Sequence, residues 1–478
     1  MKIKEIVQTT PNFKVLSEDE IERIYFDALG IIESVGARVT SEPALELFKN
    51  SRAVVTDDNL VRLPTVLVEK ALRQHPAKIA LAGRNSERAV RLQKDELAFG
   101  AGPIHPLQPV NEEPAGRTTP YKAVYQASCL VDYLPNFDFI AGPLKFPLEK
   151  GGLWDLSRVI AILEGTGKPL LLGCFDQNEL SRLWRMACLV RGGEHEFSLS
   201  PLFVHYVEIN SPLSLSRPET EKLLFCAEKN IPCVCASRTI SGVTGPATIA
   251  GMLVQNLAET MLVSVLSYLK NPGLPLIRGG VITVPSASGR EDCFSAPELA
   301  LSEAANTDIS KWLGLGMLVP AGVTDDGGLT QDAGVDCTSS LLYAFLSGAD
   351  MIYGAGLINS GQTASLDSMV MCHEIIEMIK QIGKGISTDE AYLAMDLIES
   401  VGPGGEYLTR EHTLKYWREW FRPRLINRAT YENWVAAGEK TIKQRAAEER
   451  RKILAEHAPA AMDPKLLKEL HALAATRI

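Results

Sequence analysis

The chain has 478 residues, 46% of them hydrophobic and 22% charged, with a formal net charge of -9. These totals describe a globular chain with a sizeable core, long enough for one large domain with attachments or for two to three ordinary ones. They argue against a nucleic-acid binder, which presents a basic face. The most basic stretch, KQRAAEERRK from Lys443 to Lys452, interleaves acids and reads as a solvated helix face. No membrane span is expected either. The longest apolar segment, Ile249 to Leu269, is interrupted by Gln255, Asn256 and Glu259 and reads as a buried helix. The opening MKIKEIVQTT lacks the apolar core of a secretory signal. The nine cysteines are scattered, and Cys233 and Cys235 share one face of a strand-like run, which is no disulfide framework. The expected setting is the reduced cytoplasm.

In chain order, residues 1–94 hold a helical stretch from Glu18 to Val35 behind the cap residue Ser17, then Glu42 to Lys49, strand-like pieces and a further helix. This is a small N-terminal α+β attachment. Eight short apolar or β-branched runs follow at about 96–100, 137–142, 169–174, 202–207, 231–236, 275–279, 316–323 and 350–354, each ending in glycine, polar or small residues. Between and after them lie helical patterns: Pro120 to Leu134 behind Thr119, Leu153 to Leu163, Glu179 to Val190, Glu219 to Ala227, Ala247 to Leu269, Pro297 to Leu313, Asp332 to Leu346 and Ser365 to Ile382. The strand runs lack clean polar alternation, as strands covered on both faces do. Eight strand–helix units in a row predict an α/β fold, a (β/α)8 TIM barrel over 95–383, with an open doubly wound sheet as the alternative. Residues 384–478 read as a C-terminal helical extension.

In a barrel of this kind chemistry sits at the C-terminal ends of the strands. The residues expected there are Phe99, Gly100 and His105 after the first strand, Phe175 and Asp176 after the third, and His205, Tyr206 and Glu208 after the fourth. Ser237 and Arg238 follow the fifth, Arg278, Gly279 and Gly280 the sixth, Asp325 and Asp326 the seventh, and Tyr353, Asn359, Ser360 and Gln362 the eighth. A zinc site needs three or four converging ligands. His105, His205, Cys372, His373 and His412 are scattered, so they read as core or rim residues and no metal is expected. The glycine run MIYGAGLINSG is off the dinucleotide-binding pattern and reads as an open strand–helix loop. No G-x-S-x-G nucleophile elbow occurs. Acids and aromatics at one mouth suit a quaternary ammonium, which has no N–H to donate and binds through ring faces and carboxylates. Phe99, Tyr206 and Tyr353 are the candidate walls, and Asp325 or Asp326 the counter-charge.

The run TDDGGLTQDAGVDCTSSLLYAFLSGADMIYGAGLINSGQTASLDSMVMCHEII, with VGPGGEYLTREHTLKYWREWFRPRL after it, resembles the trimethylamine:corrinoid methyltransferase family. So do FGAGPIHP, LVDYLPNFDFIAGP and SGVTGPATIAGMLVQNLAE, and the likeness covers nearly the whole chain. The resemblance implies a barrel and methyl transfer to a cob(I)alamin-type corrinoid carried by a separate small protein, with no cofactor tightly bound to this chain. Founding members use pyrrolysine, whereas this chain has only the twenty standard residues. That points to the non-pyrrolysine branch and a quaternary amine such as glycine betaine, proline betaine, carnitine or γ-butyrobetaine. By the same resemblance Asp325 matches the acid of the family's Thr-Asp block and is the expected catalytic residue. Arg278 is the first choice for gripping a substrate carboxylate, with His205 and Asn359 as alternatives. A homo-oligomer is expected on barrel-family grounds. The competing readings are a non-catalytic betaine-binding protein and a zinc-dependent corrinoid methyltransferase.

Overall fold

The computed structural model describes residues 13–76, 79–84, 89–92, 96–104, 119–144, 156–286 and 292–475. Eight parallel strands close into a barrel. They are β1 (Ala98–Ala101), β2 (Phe139–Ala141), β3 (Leu170–Leu172), β4 (Phe203–Ile209), β5 (Cys233–Ile240), β6 (Leu276–Thr283), β7 (Gly316–Pro320) and β8 (Met351–Ala355). Each falls on one of the eight predicted apolar runs. The outer helices are α1 (Pro120–Tyr133), α2 (Ser157–Gly165), α3 (Gln177–Arg191), α4 (Arg217–Lys229), α5 (Ile249–Lys270), α6 (Pro297–Leu313), α7 (Gln331–Ser347) and α8 (Leu366–Gly383).

Local chemistry sets the helix ends. The side chains of Thr119, Asp176, Thr248, Thr330 and Ser365 accept from amides of the first turns of α1, α3, α5, α7 and α8. Gly314 and Gly348 end α6 and α7 in the left-handed conformation that glycine adopts without strain. α5 is the one described helix long and apolar enough to cross a membrane, and most of it is buried against the barrel and the N-terminal helices.

Two apolar layers result from strand alternation. The inner layer includes Ala98, Phe139, Leu171, Val204, Val234, Ile277, Leu318 and Met351. Its lower end is closed by a hairpin, Ile79–Ala82 with Ala89–Leu92, which adds Ile79, Leu81 and Val90 to that layer. The hairpin is tied down where the Ala82 amide donates to the Pro201 carbonyl at 2.9 Å. The outer layer, between strands and helices, continues without a break into the N-terminal elements. There the helix Glu18–Ser34, with a capping box at Ser17, packs on α5. Strands Ala37–Val39, Leu60–Arg62 and Val54–Val55 form a small sheet, and its fourth strand, Ser214–Leu215, comes from the loop after β4. At the other end of the chain, helix Ile442–Glu456 packs on α8 and α1, and helix Pro464–Ala475 on α3 and α2.

Candidate active site

β4 shows how the barrel wall builds a site. Along Phe203–Ile209 the residues His205, Val207 and Ile209 are buried, while Tyr206 and Glu208 are half-buried. The buried set faces the helices. The other set shares the inward face of Val204 and looks into the mouth. β5 pairs in register with Val234 opposite Tyr206 and Ala236 opposite Glu208, so Arg238, two residues on, rises from the same face. On β6 the inward position opposite Ala236 is Gly279. A Cβ there would lie 3.0 Å from both Ala236 Cβ and Val234 Cγ1, so this part of the wall has no room for a side chain. Tyr353 of β8, in register with Pro320, completes the ring from the far side.

Two acids enter this ring from outside the strand set. Asp292, 2% exposed, lies in the segment after β6 and forms an ion pair with Arg238, whose side chain is 53% exposed. Glu303 of α6, 4% exposed, comes in beside β6, next to the Ile282 amide. The ladder between β6 and β7 ends at the Gly279–Leu318 pair, and Ile282 lies beyond it. Among the described residues neither Tyr206 nor Tyr353 donates its hydroxyl to a protein group.

The electrostatics tie these groups together. Burial pushes the Tyr353 phenol well up, and the negative charge of Glu303 adds to it. Burial likewise raises Tyr206, with Tyr353 and Glu208 contributing. Burial pulls Arg238 down, but Asp292 and Glu208 together hold it above its ordinary value. Asp292 is raised by burial against the opposing effect of Arg238. Burial raises Glu303 well above the usual carboxylate range, against the opposing effects of the Ile282 amide and Arg278. The mouth therefore holds two aromatic faces, one compensated Arg–Asp pair and the further carboxylate of Glu208, an arrangement that favours a desolvated cation.

A family model described as trimethylamine methyltransferase (MTTB) matches residues 1–478. The chain belongs to the trimethylamine methyltransferase (MTTB) family. It is 29% identical over 461 residues to the trimethylamine methyltransferase MttB of Desulfitobacterium hafniense (strain DSM 10664 / DCB-2), covering 96% of this chain and 92% of that one. It is 28% identical over 477 residues to the glycine betaine methyltransferase of Desulfitobacterium hafniense (strain Y51), covering 98% of each. The crystal structure of the Methanosarcina barkeri monomethylamine methyltransferase (MtmB) aligns at TM-score 0.48 and 11% identity, over 93% of this chain and 96% of that one. The protein is an enzyme of the methyltransferase class.

In this MTTB-family barrel the residues expected from sequence separate into two groups. Tyr206 and Tyr353 do line the inner face. Phe99, His205 and Arg278 do not; strand parity turns all three outward, and their expected place at the mouth is corrected accordingly. Phe99 is fully buried in the outer layer, with the Lys380 ammonium 5.3 Å from its ring centroid. His205 is also fully buried there, 3.8 Å from the Cys174 sulfur, and burial with nearby Lys222 keeps its imidazole neutral. Arg278 donates to Thr260 Oγ1 (3.3 Å), the Asn306 carbonyl (3.1 Å), Ser310 Oγ (3.2 Å), Asn256 Oδ1 (2.8 Å) and Asn306 Oδ1 (2.8 Å). Those five bonds use every donor a guanidinium has, so no N–H is left for a substrate carboxylate.

The two acids after β7 hold loops. Asp325 accepts from Cys293 Sγ (3.0 Å) and from the amides of Phe294 and Ser295 (2.9 Å each). The Ser360 hydroxyl also donates to it. Half-burial pushes this carboxylate up, but the four donors outweigh burial and hold it below the usual range. Asp325 thus binds the segment after β6 and the turn after β8 to its own loop. Asp326 accepts from the Gly328 amide at 3.2 Å and from the Thr330 hydroxyl, next to the start of α7. Asn359 is exposed in a turn with left-handed backbone (φ 53°), its amide donating to the Asp326 carbonyl at 2.6 Å.

His105 lies outside the described residues. Among the described residues no three His, Cys, Asp or Glu side chains converge on one point. Sequence reasoning missed Asp292 and Glu303. Asp292 lies in a loop far from any strand end, and Glu303 sits in mid-helix, where an acid ordinarily faces water. The period-two pattern Tyr206–Glu208 was the one usable signal for Glu208.

Proposed function

We propose that this enzyme moves a methyl group from a carboxylate-bearing quaternary amine, of the glycine betaine, proline betaine, carnitine or γ-butyrobetaine kind, to the corrinoid of a partner protein. The observation that supports it most is the pairing of Tyr206 and Tyr353 with Glu208 on one side and of Arg238 with Asp292 on the other. A betaine has both charges, and this mouth offers a partner for each. The trimethylammonium group sits against the two rings and Glu208. The carboxylate draws on Arg238, the one guanidinium on the inner face among the described residues, which stands half in solvent at the rim.

The reaction asks little else of the protein. In the C–N bond that breaks, both electrons leave with nitrogen, giving a neutral tertiary amine. The acceptor, supplied by the partner, provides the electron pair for the new bond to carbon. No proton moves, so no general acid is required, and the chain's task is to desolvate the cation and aim one methyl outward. Asp325 serves as a positioning residue, because its four donors lock three loops of the mouth together. The relatives' names point to trimethylamine and to glycine betaine at nearly equal identity, so the Arg238–Asp292 pair favours the carboxylated substrate.

The test is turnover with reduced cob(I)alamin across trimethylamine, choline and the four betaines, followed as the absorbance of methylcobalamin. A carboxylated quaternary amine is expected to lead. Arg238→Met is expected to raise KM for that substrate about tenfold or more, with a much smaller change for choline. Equal losses on both would remove the carboxylate contact. Stabilisation by a betaine with no methylcobalamin formed, even with a native corrinoid protein present, would support a binding protein instead.

A further inference from the structure

A carboxyl taken out of water needs partners, and this chain supplies them with one exception. Seven acids are buried among the described residues. Glu219 pairs with Lys222, and Asp292 with Arg238. Asp132, Glu259, Asp308 and Glu374 each accept from two or more hydroxyl or amide donors. Glu303 is the exception: neither of its carboxyl oxygens has a hydrogen-bond partner among the described residues. The Ile282 amide lies beside it, short of hydrogen-bond geometry. Such a group destabilises the fold that carries it, so its presence calls for a use.

Its position supplies one. Glu303 sits in mid-helix on α6, which packs on both β6 and β7. The helix is pinned there on either side of it. The Ser302 hydroxyl donates to the Ile282 carbonyl at 2.7 Å, and Asn306, one turn on, accepts twice from Arg278. The β6–β7 ladder ends at the Gly279–Leu318 pair, so above that pair the barrel wall has a seam, and Glu303 stands behind it. On the inner side stands Tyr353, and Glu303 is the charge with the largest effect on that phenol. On the helix side Arg278 favours the negative form of Glu303 without forming an ion pair with it.

We propose that the Glu303 carboxylate, facing the mouth through this seam, is the counter-charge that selects a permanently cationic head group at the Tyr353 ring. This deepens the proposed reaction and rests on it. Two uncommitted oxygens suit a cation with no N–H, whose attraction acts through space and needs no fixed donor. A metal ion would need further ligands, and no three such side chains converge among the described residues. Glu208 is half-buried and shares its charge with Arg238, whereas Glu303 is almost dry and its field is little screened. An uncharged head group of the same shape would leave the carboxyl uncompensated, so the site sorts ligands by charge as well as by shape.

Isothermal titration calorimetry on the full chain tests this. The probes are the four betaines and, for the one that binds most tightly, its isostere with carbon in place of the nitrogen. Betaine and isostere share carboxylate and shape and differ only in the charge of the head group. Glu303→Gln is expected to weaken the betaine at least about tenfold without weakening the isostere, so the preference for the charged head group falls by that factor. Glu303 has no hydrogen bond to lose, so the Tm of Glu303→Gln and of Glu303→Met is expected to stay level or rise. Equal weakening of betaine and isostere would overturn the proposal, as would unchanged betaine binding. A fall in Tm in both variants would make Glu303 a support of the fold and overturn it too. Methylcobalamin formation that Glu303→Gln leaves intact, with betaine affinity unchanged, would sink the role of Glu303 and leave the reaction standing. A wild type that binds none of the four betaines would remove both.

Discussion

The two faces of the barrel wall treat polar side chains in opposite ways. On the outer face Arg278 is fully buried and every one of its donors is matched by Thr260, Asn256, Asn306 or Ser310. His205, on the same face, is held neutral. On the inner face Tyr206 and Tyr353 keep hydroxyls with no partner among the described residues, and Arg238 stands half in solvent with Asp292 behind it. The two sets alternate along the same strands: His205 beside Tyr206, Arg278 beside Gly279, Phe99 beside Gly100. A one-residue change of parity converts a group that stabilises the fold into one that is open to a ligand.

The largest expected effect lies on the outer face. Arg278→Met removes a charge and leaves Asn256 Oδ1, Asn306 Oδ1 and the Asn306 carbonyl without their donor inside the protein. Breaking a buried charged network from one side costs about 3–5 kcal/mol. Urea unfolding should show a loss of that size, with the substrate KM of the surviving folded fraction unchanged. A shift in KM with little loss of stability would put Arg278 back among the site residues. On the inner face the pattern should reverse. Tyr353→Leu keeps an apolar side chain but removes the ring, so stability should fall by about 1–3 kcal/mol, less than at Arg278. Losing one desolvated cation–π contact, worth about 1–2 kcal/mol, should raise KM for the quaternary amine about tenfold. An unchanged KM would mean that the cation sits elsewhere.

The eight strands and eight barrel helices were legible in the sequence because parallel strands are covered on both faces, so each appears as an unbroken apolar run such as MLVPAGV. The same property hides parity. In PLIRG and LFVHYV no polar alternation marks which residue faces the helices. Arg278 and His205 therefore looked like mouth residues when barrel closure had turned them outward. Tyr206 and Tyr353 were found because their positions near strand ends happened to coincide with inward parity. Asp325 stands out in the sequence as an acid at the end of the seventh strand run. Its partners, at Cys293 to Ser295 and Ser360, are distant in sequence, so only the fold shows that all its acceptor sites are engaged. Asp292 and Glu303 reach the mouth through loop path and helix placement, which no local pattern encodes.

The smallest effect concerns protons, and it tests whether the outer face fixes charge states as well as shapes. His373 of α8 is 9% exposed, with Asn136 Nδ2 3.2 Å from its Nε2. Burial, reinforced by the cations Lys168, Lys380 and Arg424, holds it down at about 3. An unfolded histidine titrates near 6.5. Below that pH the unfolded chain takes up a proton that the folded protein refuses, so this residue removes stability as the pH falls from about 6.5 towards 3, by about 1.4 kcal/mol per pH unit. Buried acids with raised values, Glu179 at about 7 among them, act in the opposite direction, since the folded state keeps their protons and loses that advantage as pH rises. The informative quantity is therefore a difference between two proteins. His373→Gln can still receive the Asn136 amide but cannot be protonated. Between about pH 7.5 and 5.5 its unfolding free energy should fall by about 1.4 kcal/mol less than that of the wild type. Parallel pH curves would mean that His373 takes its proton in the folded state, and that the outer layer admits charge where the packing of α8 says it does not.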